Sequence, residues 1–268
     1  VKSRIVRAFA QAADRGRAVL VAFVECGDPD LQATERLVPA LAEAGAGVVE
    51  LGVPFSDPIA DGPTIQRASE RALLSGGGLD ATLEVAAKVR AGGCQVPLVL
   101  FTYANPILAA GEDAFGRRAA AAGIDGVLVT DLPPEEGAAF ARLLRAHRLD
   151  PIYLLAPTST GERLRRAAAL SRGFVYVVSR AGVTGARAAL PEDLPALVAR
   201  VKTATSLPVA VGFGIAAPEQ AAEAARLADG VVVGSAIVSA VEKAAAAGED
   251  PVPAAASLVR SLAGAMTR

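Results

Sequence analysis

Eight short apolar runs recur along the chain, at residues 18–24, 48–53, 96–101, 126–130, 151–155, 174–179, 207–211 and 230–233. Each is followed by a segment of helical spacing. Those segments are 31–44, 65–74 with 81–91, 115–122, 135–148, 161–171, 193–203, 218–227, and 235–246 with 254–263. The runs are continuous rather than alternating with polar residues, as strands covered on both faces are. Such strands joined by crossover helices build a parallel sheet. Eight units in 268 residues favour closure into a (β/α)8 TIM barrel over an open doubly wound sheet. A further helical stretch, 3–13, precedes the first strand and carries Ile5, Val6, Phe9 and Ala10 on one stripe, which predicts an extra N-terminal helix. No linker or shift in composition divides the chain, so residues 1–268 are expected to form a single domain.

In barrels of this kind the chemistry sits where strands end and loops begin. The second strand is unusual there, because Glu50 interrupts its apolar run. A buried carboxylate is costly unless it is paired, hydrogen-bonded or used. If Val49 and Leu51 face the helices, Glu50 faces the barrel interior. Pro54, Pro58, Gly62 and Pro63 then bar both helix and strand, so 55–63 is a shaped loop, and it brings two more acids, Asp57 and Asp61. Desolvation should push the strand Glu toward its protonated form, while the loop Asp stays charged. Other strand ends offer Phe23 and Glu25, Tyr103 and Asn105, Thr130 and Asp131, and 176–180.

Composition removes several function classes. With 27 basic and 28 acidic residues the formal net charge is −1, and no basic stripe suggests nucleic acid or an acidic membrane surface. No apolar run reaches the roughly 18 residues of a membrane span. His147 is the one histidine and lies in a helical stretch, which disfavours a Ser-His-Asp triad and a histidine-based metal site; no metal is expected. Cys26 and Cys94 stand far apart in no metal-ligand spacing, which suits a reducing cytoplasm. Lys2, Lys88, Lys202 and Lys243 fall away from the strand ends, which disfavours a Schiff-base aldolase.

Three glycine-bearing turns follow the last three strands: Ala181-Gly-Val-Thr-Gly185, Gly212-Phe-Gly214 and Gly234-Ser235. Bare backbone N–H groups and a helix N-terminus can hold a phosphate without lysine. The residues alone therefore predict a small phosphorylated substrate and two carboxylates, and leave lyase, isomerase and aldolase chemistry open.

The run Glu50-Leu-Gly-Val-Pro-Phe-Ser-Asp-Pro-Ile-Ala-Asp-Gly-Pro-Thr-Ile-Gln66 closely resembles the signature of the tryptophan synthase alpha subunit family. Gly27-Asp-Pro, Tyr103-Ala-Asn-Pro, Asp131-Leu-Pro-Pro-Glu-Glu136, Ser179-Arg-Ala-Gly-Val-Thr-Gly185, Gly212-Phe-Gly-Ile215 and Gly234-Ser-Ala-Ile-Val238 occur in the family's order and spacing. The resemblance implies retro-aldol cleavage of indole-3-glycerol phosphate to indole and glyceraldehyde 3-phosphate. It implies acid–base catalysis by Glu50 and stabilisation of the indole N–H by Asp61. Phe23, Phe101, Leu128 and Thr130 would line the indole pocket with Tyr103 nearby, Tyr176 would flank the glyceryl chain, and Thr184 would meet Asp61. Gly185, Phe213, Gly214, Gly234 and Ser235 would hold the phosphate. The implied partner is a pyridoxal-phosphate beta subunit in an α2β2 assembly, met by Asp57, Pro58, Asn105, Glu135 and Glu136, with no cofactor in this chain.

Three positions depart from the family's pattern. Glu25 stands where a small or neutral residue is more usual and adds a charge just after the first strand; Cys26 follows it, and Ala181 replaces a common serine. A free-standing indole-releasing lyase, or a weakly catalytic subunit that mainly activates a beta-type partner, would carry much the same motifs.

Overall fold

The computed structural model describes residues 3–178, 190–212 and 214–267. Its strands are β1 (Val19–Glu25), β2 (Ala46–Gly52), β3 (Leu98–Thr102), β4 (Gly126–Val129), β5 (Asp150–Ile152), β6 (Leu154–Leu155), β7 (Val175–Val178), β8 (Val209–Gly212) and β9 (Gly230–Val233). All pair in parallel, in the order β5-β4-β3-β2-β1-β9-β8-β7-β6. The two outer members of that order are one stretch of chain, parted only by Tyr153. Leu128 of β4 pairs with Ile152 on one side, and Leu154 pairs with Tyr176 of β7 on the other. The sheet thus closes on itself as an eight-stranded barrel, as the alternation predicts.

Strand side chains divide by the two-residue period. Leu20, Ala22, Val24, Val49 and Leu51 pack outward in one core with Leu37, Val38 and Leu41 of the helix Leu31–Glu43. Val19, Val21, Val48, Val99, Leu128, Ile152, Ala210 and Val232 fill the interior. Val49 and Leu51 do face the helices, so Glu50 lies on the interior face between them.

The N-terminal helix Arg4–Asp14 decides which end of the barrel stays open. Ile5 and Phe9 enter the interior core, and Phe9 meets Phe174 with ring centroids 5.4 Å apart. Their approach needs bare backbone: a Cβ at Gly126 would lie 2.9 Å from Ile5 Cδ1, and one at Gly230 would lie 3.0 Å from Phe9 Cε1. Arg4 pairs with buried Asp125 at 3.0 Å, and Arg90 holds the other Asp125 oxygen at 2.7 Å. The N-terminal end is therefore plugged, and a substrate is admitted at the C-terminal ends of the strands.

The elements match the sequence reading with shifted ends, and one helix is new. Ala104–Ala110 follows β3 directly, in a stretch to which the sequence pattern assigns no element. Pro106 fits its first turn, where no backbone N–H is needed, and Asp131 from the next unit accepts a hydrogen bond from the Ala104 N–H at 2.7 Å. Among the described residues, no helix is long and apolar enough to cross a membrane, and no cluster of three or more His, Cys, Asp or Glu is arranged to hold a metal.

Candidate active site

Glu50 is the centre of the open end. It is fully buried, and neither carboxylate oxygen has a hydrogen-bond partner among the described residues. It pairs in register with Phe23 on one side and Val99 on the other. Burial pushes its pKa from the ordinary 4.5 up to about 8, so at neutral pH it is mostly a carboxylic acid. An orphaned buried acid of this kind is expensive for folding and suited to giving up a proton to a bound molecule.

Asp61 reaches the same mouth from the loop after β2. It is also buried, and desolvation raises its pKa. What separates it from Glu50 is a partner. The Tyr103 hydroxyl donates to Asp61 Oδ2 at 2.7 Å and accepts from the Ala60 N–H at 3.0 Å. That bond favours the charged carboxylate and opposes the desolvation. The loop itself is pinned from the helix Pro63–Leu74: Ser69 Oγ accepts from the Phe55 N–H at 2.9 Å, and Gln66 Nε2 donates to the Asp61 carbonyl at 2.9 Å. Phe55 lies on Tyr103 with centroids 5.3 Å apart.

The walls are aromatic and aliphatic. Phe23 and Phe101 meet edge to face, centroids 5.2 Å apart at 77°. Leu128 is fully buried below them, and half-buried Thr130 donates to the Thr102 carbonyl at 3.2 Å. Tyr176 rises from β7 with its phenol pKa raised by burial and then by the charges of Glu50 and Asp61. Its hydroxyl fits over Gly212, where a Cβ would lie 2.5 Å away. Phe23, Glu50, Phe101, Tyr103, Leu128, Thr130 and Tyr176 thus all stand at or beside the strand ends that open on one mouth.

On the far rim, Gly214 has φ +69°, a left-handed turn that favours glycine. Gly234 caps the helix Ser235–Ala246, whose first residue is Ser235, so unpaired N–H groups end at the mouth. Thr184, Gly185, Ala181 and Phe213 lie outside the described residues.

The residues expected to meet a partner are on the surface: Asp57, Asn105, Glu135 and Glu136 are exposed and Pro58 is half-buried. Ile59 and Leu108, both exposed apolar side chains on the same two segments, extend that group and carry no periodic signal that would have found them. Gly52 was also overlooked. It sits two residues beyond Glu50 on the same face, where Phe23 and Glu25 leave no room for a Cβ, and a glycine inside a strand run is a signal of close approach. Glu25 needs correction too: it is the last residue of β1 rather than a residue beyond the strand, it is 5% exposed, and burial, followed by the charges of Asp61 and Asp28, pushes its carboxyl well above the usual range.

The model of the family described as "Tryptophan synthase alpha chain" matches residues 9–267. The chain belongs to the tryptophan synthase alpha chain family. A relative of that name from Geobacter sulfurreducens is 55% identical over 245 residues, covering 91% of this chain and 92% of its own. One from Burkholderia thailandensis is 49% identical over 262 residues, covering 98% and 95%. Among solved structures, Mycobacterium tuberculosis tryptophan synthase superposes with a TM-score of 0.91 at 41% identity, covering 100% of both chains. The alpha subunit from Legionella pneumophila gives 0.90 at 38%, covering 99% and 98%. The family is a carbon–carbon lyase that cleaves indole-3-glycerol phosphate, and its alpha chain works in an α2β2 assembly whose pyridoxal phosphate belongs to the beta chain. That membership favours the biosynthetic subunit over a free-standing lyase or a weakly catalytic activator.

Proposed function

We propose that Glu50 and Asp61 carry out the cleavage of indole-3-glycerol phosphate in this chain. The observation that supports this most is the unpartnered, fully buried Glu50 carboxyl at the open mouth, with a pKa near 8. In its acid form Glu50 protonates C3 of the indole ring, which makes that carbon able to leave. The positive charge that develops on the ring nitrogen is met by the Asp61 carboxylate, which the Tyr103 hydroxyl holds in place. Glu50, now a carboxylate, takes the proton from the hydroxyl on the carbon bonded to C3. The carbon–carbon bond breaks, its electron pair returns to the ring, and glyceraldehyde 3-phosphate and neutral indole are formed. Glu50 ends as it began, one proton given and one received.

Phe23, Phe101, Leu128 and Thr130 form the slot for the flat indole, and Tyr176 stands beside the glyceryl chain. Gly214, Gly234 and Ser235 take the phosphate on backbone N–H groups and the helix dipole. Asp57, Pro58, Asn105, Glu135 and Glu136, with Ile59 and Leu108, face the beta subunit. A single domain is supported by one closed sheet with one plugged end, and a cytoplasmic setting by two free thiols, Cys26 and Cys94.

Steady-state cleavage by Glu50→Gln, alone and with the beta subunit, tests the assignment. The variant keeps the side chain's size and removes its proton, so turnover should fall by about 100-fold or more while substrate affinity holds. Turnover within a few-fold of wild type would remove Glu50 from this role.

A further inference from the structure

β1 ends on Glu25. Val19 and Val21 of that strand face the interior, Phe23 faces the mouth, and the two-residue period puts Glu25 on the same side. Its carboxyl rests on Gly52, where a Cβ would lie 2.5 Å from Glu25 Oε2 and 2.6 Å from Phe23 Cζ. Among the described residues no cation or hydrogen-bond donor offsets its burial, and the charges of Asp61 and Asp28 oppose its ionisation. Asp28, three residues on, is satisfied otherwise: Arg71 holds its two oxygens, each at 2.8 Å. A side chain nineteen-twentieths buried that receives no donor from the described residues leaves its carboxyl free to make a bond at the mouth.

The candidate is the neighbouring carboxylate. β2 lies between β1 and β3 in the sheet, and the Asp61 loop leaves β2. Tyr103, just past β3, already donates to Asp61 from that side. A carboxylate offers about four lone-pair positions, so a second donor from the β1 side still leaves room for an indole N–H. We infer that Glu25 is a positioning residue for the cleavage: it donates a hydrogen bond to Asp61 when substrate fills the mouth, and so aims Asp61 at the indole nitrogen. This assignment rests on the role proposed above for Asp61.

The test is kcat and KM of the assembled α2β2 enzyme for Glu25→Gln, Glu25→Met, Asp61→Asn and the combination of the last two, with melting temperatures for each. Met matches the size of Glu without a donor, and Gln restores one. Glu25→Met should lower kcat by about tenfold, the worth of one hydrogen bond to a charged group, with a smaller change in KM. Glu25→Gln should recover most of that loss. In the Asp61→Asn background Glu25→Met should cost little more, because the acceptor is changed. Equal losses in the Gln and Met variants, or losses that simply add, would overturn the assignment and leave Glu25 a packing group. Should Glu25→Met fail to fold, Glu25→Ala takes its place with the same expectation. Wild-type turnover in Asp61→Asn would instead overturn the role of Asp61 itself, whatever Glu25 does.

Discussion

Replacing Glu50 by Met should make the protein more stable while ending its activity, and the gain should depend on pH. The carboxyl has a pKa of about 8 when folded and an ordinary value of 4.5. Between those two values the folded chain binds a proton that the unfolded chain releases, so stability falls as pH rises through the window. Below about 4.5 both states hold the proton and the penalty vanishes; above about 8 it levels off. At 1.36 kcal/mol per pH unit, the interval up to pH 7 corresponds to about 3 kcal/mol. In a chain of this size that is on the order of 5–10 °C in melting temperature. Met has nearly the volume of Glu and puts no polar atom among Phe23, Val99 and the interior core, so it removes the penalty without opening a cavity. Urea or thermal melts of both proteins at pH 5, 7 and 8.5 read the result, since titrating groups that do not interact with Glu50 cancel in the difference. The gap should be small at pH 5, near its full size at pH 8.5, and always in favour of Met. A gap that does not change with pH, or a wild type that melts higher, would refute the claim that Glu50 is held desolvated and unpaired.

Two further perturbations probe the loop after β2. Tyr103→Phe removes the donor that favours the charged form of Asp61, so the Asp61 pKa should rise further and the acid limb of the kcat/KM profile should move to higher pH, with a loss of about tenfold at neutral pH; an acid limb that stays in place would show that Asp61 does not report through Tyr103. Ile59, 80% exposed on that loop, should tolerate a charge in the isolated chain but not against a partner, so Ile59→Glu should weaken association with the beta subunit by about tenfold or more, as read by titration calorimetry. Unchanged affinity would move the interface off this loop.

Much of the barrel was legible because it follows from local rules. The β-branched runs, the 3.6-residue spacing between them and the count of eight lead to closure, and two-residue alternation alone turns Glu50 inward once Val49 and Leu51 are assigned to the helices. What could not be read depends on contacts between distant units. The helix Ala104–Ala110 begins where Asp131, from the next strand's loop, caps it. The strand after β4 is interrupted at Tyr153, whose hydroxyl turns out to donate to the Gly137 carbonyl at 2.9 Å. Glu25 was read as an added charge because nothing near it in sequence reveals that Gly52 would leave it a buried seat.

The same limit governs the two acids proposed above to be catalytic. Strand against loop was the distinction available in the sequence, and it assigns a neutral Glu50 and a charged Asp61 on the ground that loops are wet. In the folded chain both are buried and both are pushed toward protonation. Their difference comes from a phenol forty-two residues beyond Asp61 that bonds one carboxyl and not the other. Glu50 faces β-strand neighbours that offer it only Phe23 and Val99, so desolvation acts on it unopposed. The proposed roles of Glu50 as acid and Asp61 as the charge-stabilising carboxylate therefore rest on hydrogen-bond supply within one buried site. The difference should persist if the loop packs more tightly and disappear if Tyr103 loses its hydroxyl.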